Sequence, residues 1–361
     1  MGILRPVHIV TSGLLCARGD SPAAVADALW AGECSAGLRT LGERHFPYFA
    51  LPLDEPDWSV RAEQAVRKVS AQLGPVDPAT PLFIASSSFQ IGLFEQRAAP
   101  FDMPVASASF SRQIADWLAL SGPRSSYSNA CISGFSAIDA ACTLISAGLI
   151  DDAIVVGIEL ANDSTLAGFA AMELLSRSLC RPFDARRDGL VLGEAVAAIK
   201  LSATPGPWKI AGLSTGLDAY STTGPDPDGG PIADVMRDCL RAAGTPPVAI
   251  DLVKLQAAGS PGSDLAEANA LRQVFTETMP PLLSLKPALG HTLGASGIAE
   301  LAALLASLDA GQIPATANYS ERDGEIGLAP VTVRRQAVVR RALLNLVGFG
   351  GGLASLLVER T

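Results

Sequence analysis

The sequence predicts an α/β protein in which helices and sheets pack in alternating layers. Buried-strand patterns such as TPLFIASSS (80–88) and DDAIVVGIEL (151–160) alternate along the 361 residues with amphipathic helical patterns such as DWSVRAEQAVRKVSAQLG (57–74). A chain that alternates in this way builds layers of helix on sheet. The composition, 48% hydrophobic and 17% charged, is that of a folded globular protein.

The remaining elements follow the same alternation. Further strands are predicted at VHIVTSG (7–13), GLVLGEAVAAIKLS (189–202) and GFGGGLASLLVER (348–360). Further helices are predicted at SPAAVADALWAG (21–32), SRQIADWLALSG (111–122), IADVMRDCLRAAG (232–244) and LAEANALRQVF (265–275). Several of these helices end in Gly, the residue that most often follows the last helical turn.

Two segments of the chain resemble each other. SGFSAIDAACTLISAGLI (133–150) and SGIAELAALLASLDAGQI (296–313) lie 296 − 133 = 163 residues apart, and each is a small-residue helix ending in Ala-Gly. This similarity is either a coincidence among Ala-rich helices or the trace of a duplicated fold. Duplication predicts halves of residues 1–205 and 206–361, with the two helices side by side in the middle layer of a sandwich.

Charge and cysteine content exclude several classes of function. The net charge is −9 without a basic run, so no nucleic-acid partner is expected. Six cysteines without a CxxC pair predict reduced thiols and no metal site. No apolar run is long enough for a membrane span, and no signal-peptide cleavage pattern follows the first strand, so we expect a cytoplasmic protein. The arginine cluster in CRPFDARRDG (180–189) is either a patch for an acidic partner or a loop with internal ion pairs.

One cysteine is a candidate nucleophile. Cys131 in YSNACISGF precedes the first of the two similar helices. At a helix N-terminus the dipole and the unpaired N–H groups are expected to lower the pKa of the thiol and raise its reactivity. The alternative is that Cys131 is a small core residue.

Two further segments contain groups that suit such a nucleophile. In SLKPALGHTLGASGIAE (284–300), His291 is placed to bind a carbonyl or an enolate, with Lys286 and Glu300 in support, unless it is a capping histidine beside a surface lysine. In NLVGFGGGLAS (345–355) the glycines permit close backbone approach, so an N–H there can form an oxyanion hole with that of Cys131. Neither a phosphate loop nor a dinucleotide fingerprint is present.

Taken in order, these motifs resemble those of the β-ketoacyl-acyl-carrier-protein synthases, in the elongating branch with the thiolase fold. The similarity runs from about residue 80 to the end. It is carried by Cys131 together with RPFDARRDGLVLGEA (181–195), DAYSTTGPDPDGG (218–230), KPALGHTLGASGIAE (286–300) and GFGGG (348–352). The resemblance implies a five-layered αβαβα sandwich of two duplicated halves, with 1–205 carrying the cysteine and 206–361 the Lys/His motif.

The resemblance also implies roles for matching positions. Cys131 would carry an acyl group as a thioester, with its N–H and that of Phe349 holding the oxyanion. A malonyl thioester would then lose carbon dioxide and attack the acyl group, with His291 stabilising the enolate and Lys286 and Glu300 supporting it. Val347, Gly348 and Gly350 would contact substrate. No resident cofactor is implied, because phosphopantetheine arrives on an acyl carrier protein. A homodimer, or a heterodimer with another ketosynthase subunit, is expected.

Three positions depart from the family pattern. The second catalytic histidine of the family aligns with Ala258, in a loop shortened by about two residues, and Val347 and Leu353 replace a gating Phe and an Asn. Three functions therefore stay open: a condensing enzyme of fatty acid or polyketide synthesis with weakened decarboxylation, a non-condensing partner of the chain-length-factor type, and an acyltransferase that uses Cys131. A degradative thiolase is disfavoured, since no second cysteine lies near the C-terminus.

Overall fold

The computed structural model describes residues 5–98 and 100–361; residues 1–4, with which the predicted first half begins, and Ala99 lie outside the described residues. The helices are α1 Pro22–Ala31, α2 Trp58–Ser70, α3 Ile91–Gln96, α4 Met103–Trp117, α5 Ser133–Ser146, α6 Asp163–Ala171, α7 Gly230–Ala242, α8 Pro261–Val274, α9 Lys286–Leu289 and α10 Ser296–Asp309. The strands are β1 Val7–Cys16, β2 Gly37–Leu41, β3 Arg44–Phe49, β4 Leu82–Ala85, β5 Arg124–Tyr127, β6 Asp152–Glu159, β7 Leu192–Gly193, β8 Ala195–Ser202, β9 Trp208–Leu217, β10 Leu252–Lys254, β11 Leu282–Leu283, β12 Gln312–Ile313, β13 Arg335–Gln336, β14 Arg341–Val347 and β15 Gly352–Arg360. Every helix and strand predicted above is present, although α4 begins eight residues before the predicted segment 111–122.

The main sheet shows the duplication directly. Its ten strands run in the order β11-β10-β14-β15-β9-β1-β8-β6-β4-β5. From the outer edge inward, each half has two parallel pairings followed by two antiparallel ones. The two halves join where β1 pairs antiparallel with β9. The division of the chain at 205/206 stays a prediction; in the structure β8 ends at Ser202 and β9 begins at Trp208.

Alternating side chains on the strands separate five layers. On β6, Val155 packs with the central helices α5 and α10, while Ile154 packs with the outer helices α2 and α4. On β14, Leu344 likewise faces the centre and Leu343 faces α7 and α8. The two halves of the main sheet thus lie on opposite sides of the central helices and form two sheet layers. The order is therefore helix, sheet, helix, sheet, helix, which confirms the predicted αβαβα sandwich.

The two central helices lie side by side, as the repeated segment predicts. Both are 14 residues long and begin at the Ser of a Ser-Gly pair. A Cβ added to Gly134 would lie 3.2 Å from Cα of Gly297, so each helix has glycine where the backbones cross. The start of α5, with Cys131, and the start of α10, with His291, are thereby brought together.

Candidate active site

A strained turn between β5 and α5 presents Cys131. Ala130 has a φ of 44°, a conformation uncommon for a residue with a Cβ. The hydroxyl of Ser133 holds the turn, since it accepts from the N–H of Asn129 at 2.8 Å and donates to the carbonyl of Ala130 at 2.6 Å. The thiol is thus fixed just before the first turn of α5.

His291 belongs to the second half of the chain, and backbone hydrogen bonds to the first half fix it beside Cys131. Its N–H donates to the carbonyl of Val191 at 2.7 Å, and its carbonyl accepts from the N–H of Gly193 at 3.0 Å. Gly290 before it has a φ of 76°, and a Cβ there would lie 2.7 Å from the ring of Phe49. Only glycine fits this position, which explains the Gly-His sequence of the motif.

The imidazole of His291 contacts the thiol directly. Nε2 lies 3.0 Å from Sγ of Cys131, and Nδ1 lies 3.1 Å from Oγ of Ser296, which is itself 3.2 Å from Oγ1 of Thr292. A serine hydroxyl both donates and accepts. Ser296 therefore supports either tautomer of the ring, so that Nε2 can accept a proton from the thiol or donate one to a substrate oxygen.

Both reacting groups are held in their neutral forms. Burial raises the pKa of the Cys131 thiol to about 11, although the N–H of Phe349, the charge of Lys286 and the N–H of Cys131 itself lower it. Burial and the charge of Lys286 lower the pKa of His291 to about 3. The prediction that the helix N-terminus lowers the thiol pKa below its ordinary value is therefore wrong. Desolvation outweighs the backbone hydrogen bonds and the charge of Lys286.

Beneath the site, Lys286 and Glu300 pair as predicted, with an additional partner that sequence analysis missed. The carboxylate of Glu300 bonds to Nζ of Lys286 and to Nζ of Lys254, and all three side chains are buried. Opposing lysines lower the pKa of Glu300 although burial raises it, whereas burial lowers the pKa of Lys254 to about 8. Lys286 and Glu300 do not line the cavity beside Cys131. The pair acts on His291 through its charge.

The glycine-rich segment closes the site from the third side. A Cβ on Gly348 would lie 3.3 Å from the backbone N of Cys131, so the segment passes directly over the nucleophile. Phe349 contributes its N–H near the sulfur, and its ring stacks on Phe169 at a centroid distance of 5.3 Å. Val347 and Gly348 line the cavity, whereas Gly350 does not and instead donates its N–H to Thr222 at 2.8 Å.

The cavity that results is narrow and includes residues that sequence analysis passed over. It is lined by Cys131, Phe169, Leu174, Leu190, Thr223, Gly224, Pro225, Gln256, Ala257, Ala258, Ser260, Ser263, Asp264, His291, Val347, Gly348 and Phe349. Thr223 to Pro225 belong to the motif DAYSTTGPDPDGG. Ala258, aligned above with the second histidine, contributes a methyl group, while two residues earlier Gln256 contributes an amide.

The buried carboxylates of Asp264 and Glu267 hold the loop that follows β10, and Glu267 accepts from the backbone N–H groups of Gln256 and Ala257. Asp264 accepts from the N–H groups of Ala258 and Gly259 and from that of Phe183 in the arginine-rich segment. The arginines of that segment form ion pairs, two of them within the segment, Arg186 with Asp184 and Arg181 with Asp188. Two others join it to a later loop, Arg187 with Asp323 and Arg186 with Glu321. The ion-pair alternative is therefore confirmed, although half of the pairs are with residues outside the segment.

Comparison with known proteins agrees with this geometry. The profiles of the beta-ketoacyl synthase N-terminal and C-terminal domains match residues 83–204 and 209–320, which together are more than half of the chain. The chain belongs to the β-ketoacyl synthase family. This β-ketoacyl synthase homologue is 34% identical over 241 residues to 3-oxoacyl-[acyl-carrier-protein] synthase 2 of Mycobacterium leprae, covering 62% of the chain and 57% of that protein. It is 30% identical over 284 residues to the synthase 2 of Coxiella burnetii, covering 73% and 69%.

The solved structures give the same fold. The β-ketoacyl synthase homologue superposes on a chain of the ketosynthase ApeO–chain length factor ApeC complex of Xenorhabdus doucetiae with a TM-score of 0.88 and 26% identity, covering 99% of this chain and 98% of that one. A beta-ketoacyl synthase of Burkholderia phymatum matches in fold with a TM-score of 0.84 and 24% identity, covering 99% of this chain and all of that one. Against the first three curated relatives, the chain spans 57–62% of their length. Within the described residues, no helix is long and apolar enough to cross a bilayer.

Proposed function

We propose that this protein is a condensing enzyme that forms an acyl thioester on Cys131 and extends it with a malonyl thioester in fatty acid or polyketide synthesis. The observation that supports this most is the 3.0 Å contact between Sγ of Cys131 and Nε2 of His291, at the start of two central helices. A nucleophile within hydrogen-bond reach of a base, beside paired N–H donors, is the arrangement that acyl transfer requires.

In the acylation step, the sulfur of Cys131 attacks the carbonyl carbon of an acyl-pantetheine thioester. The thiol proton passes to Nε2 of His291, since the thiol is protonated at neutral pH and the ring is neutral. The N–H groups of Cys131 and Phe349 hold the oxyanion of the tetrahedral intermediate. The pantetheine sulfur then leaves with the proton from His291, and the acyl group stays on Cys131.

In the condensation step, the carbon–carbon bond to the carboxylate of a malonyl thioester breaks and carbon dioxide leaves. The electron pair stays on the remaining carbon as an enolate, whose oxygen accepts from Nε2–H of His291. This carbon attacks the acyl carbonyl on Cys131, and the carbon–sulfur bond breaks. The thiolate of Cys131 then takes up from solvent the one proton that the overall reaction consumes. Lys286 and Lys254 place positive charge beneath the ring and so favour the negative enolate.

Partners follow from the chemistry of the substrates and from the surface. Pantetheine thioesters would be delivered by an acyl carrier protein in the cytoplasm, with no resident cofactor. β5 is an edge strand of the main sheet, and α4, which contacts it, begins with the exposed apolar residues Met103 and Val105. An exposed edge beside apolar side chains suits a dimer, either of two copies or with a second ketosynthase subunit.

A non-condensing partner subunit is the second candidate, favoured by three observations. The pKa of the Cys131 thiol is raised, and the stacked rings of Phe169 and Phe349 narrow the cavity. In addition, one solved structure with a chain to which this protein is similar is a ketosynthase in complex with its chain length factor. A subunit of that kind would shape the tunnel for a growing acyl chain on a competent partner.

Intact-mass analysis distinguishes these functions. Wild type and Cys131→Ala are incubated with hexanoyl-carrier protein and then with malonyl-carrier protein. A condensing enzyme gains the hexanoyl mass on wild type only and then releases the extended ketoacyl product. Acylation of Cys131 without release of an extended product would indicate an acyltransferase, which is then tested with alcohol and amine acceptors. If wild type never gains the acyl mass, the catalytic proposal fails and a partner subunit remains.

A further inference from the structure

A buried arginine near the start of the chain contacts the short helix that carries Lys286. Arg18 lies in a two-residue turn whose flanking residues, Cys16 and Gly19, exchange backbone hydrogen bonds of 3.0 and 3.2 Å. Its side chain is only 8% exposed, and its Nε donates to the carbonyl of Ala288 at 2.9 Å, across 270 residues of sequence. Arginine is rarely buried to this extent unless its guanidinium is paired. The contacts of this side chain inside the fold therefore determine what it does.

The carbonyl that Arg18 binds belongs to the last turn before His291. Helix α9 has only four residues, Lys286–Leu289, and the final carbonyls of a helix need partners from outside it. The carbonyl of Lys286 accepts from the N–H of Gly290 at 2.8 Å, whereas that of Ala288 accepts from Arg18. An arginine side chain commonly fills this role at the C-terminal end of a helix. Arg18 thus caps the turn that joins Lys286 to His291.

Arg18 supports the same segment a second time through an aromatic ring. Its Cζ lies over the ring of Phe49, 5.2 Å from the centroid. A cation over an aromatic face is attracted to it, so the guanidinium helps to hold the ring in place. This ring is the group that a Cβ on Gly290 would meet at 2.7 Å. The segment before His291 therefore contacts Arg18 directly at Ala288 and indirectly, through Phe49, at Gly290.

Two groups of the loop after α1 fix the guanidinium in this position. Nη2 donates to the carbonyl of Ser35, and Nη1 lies 3.8 Å from the carboxylate of Glu33. A planar guanidinium with partners for several of its N–H groups has one preferred orientation. Arg18 also precedes residue 83, where the match to the family profiles begins. This support for the site comes from a part of the chain that those profiles do not cover.

We infer that Arg18 is a positioning residue for condensation, which holds the segment from Lys286 to His291 so that the imidazole keeps its 3.0 Å contact with Sγ of Cys131. The inference rests on the proposed condensing function. Arg18 does not line the cavity beside Cys131, so it acts through the backbone of the segment and not on the substrate. A displacement of about 1 Å at a reacting group can cost about 10²-fold in rate, so such support affects turnover.

Arg18→Met tests the inference, since it keeps a long unbranched side chain and removes the guanidinium. Arg360→Met is the matched control. Arg360 also donates to a carbonyl in the last turn of a helix, that of Leu308 in α10, at 3.2 Å, and its Cζ lies 5.4 Å from the ring centroid of Trp208. It makes these contacts at the end of α10 that is farther from His291. For each protein we would measure Tm, and kcat and KM for extension of hexanoyl-carrier protein with malonyl-carrier protein.

Nuclear magnetic resonance reports on the ring of His291 without turnover. The chain has only three histidines, so labelling histidine with 13C at Cε1 is expected to give three resonances. His291→Ala assigns the resonance of the site by its loss. In Arg18→Met the His291 resonance should shift or broaden, because the ring no longer has one orientation, while that of His8 stays unchanged.

Arg18→Met is expected to lower kcat about tenfold with KM within about twofold of wild type, because the cavity that binds substrate is untouched. Arg18→Lys should be intermediate, with kcat lowered about threefold, since an ammonium group can bind the Ala288 carbonyl but lacks the planar fork. Both methionine variants are expected to lower Tm. Arg360→Met should keep the wild-type kcat and the wild-type His291 resonance.

An unchanged His291 resonance in Arg18→Met overturns the inference, and so do equal effects of Arg18→Met and Arg360→Met on kcat and on this resonance. If Arg18→Met does not fold, Arg18→Lys decides: a wild-type kcat together with a wild-type resonance overturns the inference. If wild type forms no extended product, the condensing proposal fails. The His291 resonance of the variants then still shows whether Arg18 positions the ring.

Discussion

Sγ of Cys131 lies 3.0 Å from Nε2 of His291, and both groups are neutral at pH 7. The pair therefore differs from a thiolate–imidazolium pair, in which the thiol has already given its proton to the ring. A neutral pair is stable in a buried site because neither group bears the cost of desolvating a charge. The proton moves only when a substrate carbonyl accepts the attack of the sulfur.

Alkylation of Cys131 reports this directly. We expect the rate with iodoacetamide to rise about tenfold per pH unit between pH 7 and 10, since the thiolate fraction grows until the pKa of about 11. The labelled peptide that contains Cys131 is followed by mass spectrometry, separately from the other five cysteines. A rate that reaches a plateau below pH 8 would show an ion pair and contradict the assignment.

Ser296 is expected to act as a positioning residue through the His291 ring. Ser296→Ala removes the only side-chain partner of Nδ1 given by the described residues, so the ring loses the hydrogen bond that holds its orientation and that supports both tautomers. We expect kcat of condensation to fall about tenfold with little change in KM, because ground-state binding is untouched. Ser307→Ala is the control, as Ser307 lies in the same helix and its hydroxyl donates to the Ala303 carbonyl at 3.0 Å, outside the cavity. Equal effects of the two variants would indicate a merely structural role.

The proximity of the Cys131 thiol and the His291 imidazole could be predicted, because it follows from the similar patterns of the two helices that these residues precede. Two helices with the same small residues at the same spacing predict one packing arrangement, and Gly134 and Gly297 provide it. The pKa of Cys131 could not be predicted in this way. It depends on how completely Phe169, Leu174 and other distant residues cover the thiol, which only the folded chain determines.

The residues that were missed share a physical reason. Lys254 lies within an apolar strand pattern, where a lone lysine suggests an exposed position, and its partner Glu300 is 46 residues away. Gln256 follows in the same apolar stretch of the sequence, where nothing indicates that its side chain is buried beside Cys131 and His291.

Replacing Gly by Ala is expected to have opposite effects at two positions, one in the contact between the central helices and the other in α6. Gly134→Ala places a methyl group 3.2 Å from backbone atoms of α10, so the helices must separate slightly, and we expect a loss of about 1–3 kcal/mol in the free energy of unfolding. The new methyl group of Gly168→Ala in α6 meets no atom of the described residues within 4 Å, and this variant should gain up to about 1 kcal/mol from helix propensity. Denaturant titration measures the free energy of unfolding of both variants. A Gly134→Ala variant that is more stable than wild type would show that a methyl group fits between α5 and α10.

The buried triad of Lys254, Glu300 and Lys286 predicts a second pair of opposite effects. Glu300→Gln leaves two buried lysines without a counter-ion and should cost about 3–5 kcal/mol. Lys254→Met leaves the ion pair of Glu300 with Lys286 and should be neutral or stabilising at pH 7.

Because burial lowers the pKa of Lys254 from 10.5 to about 8, the folded protein releases this proton at a lower pH than the unfolded chain does. Relative to Lys254→Met, wild type should therefore gain stability as the pH rises from about 8 to 10.5, by up to about 1.4 kcal/mol per pH unit. Urea titrations of both proteins across this range measure the difference. A constant difference would show that Lys254 stays protonated in the fold.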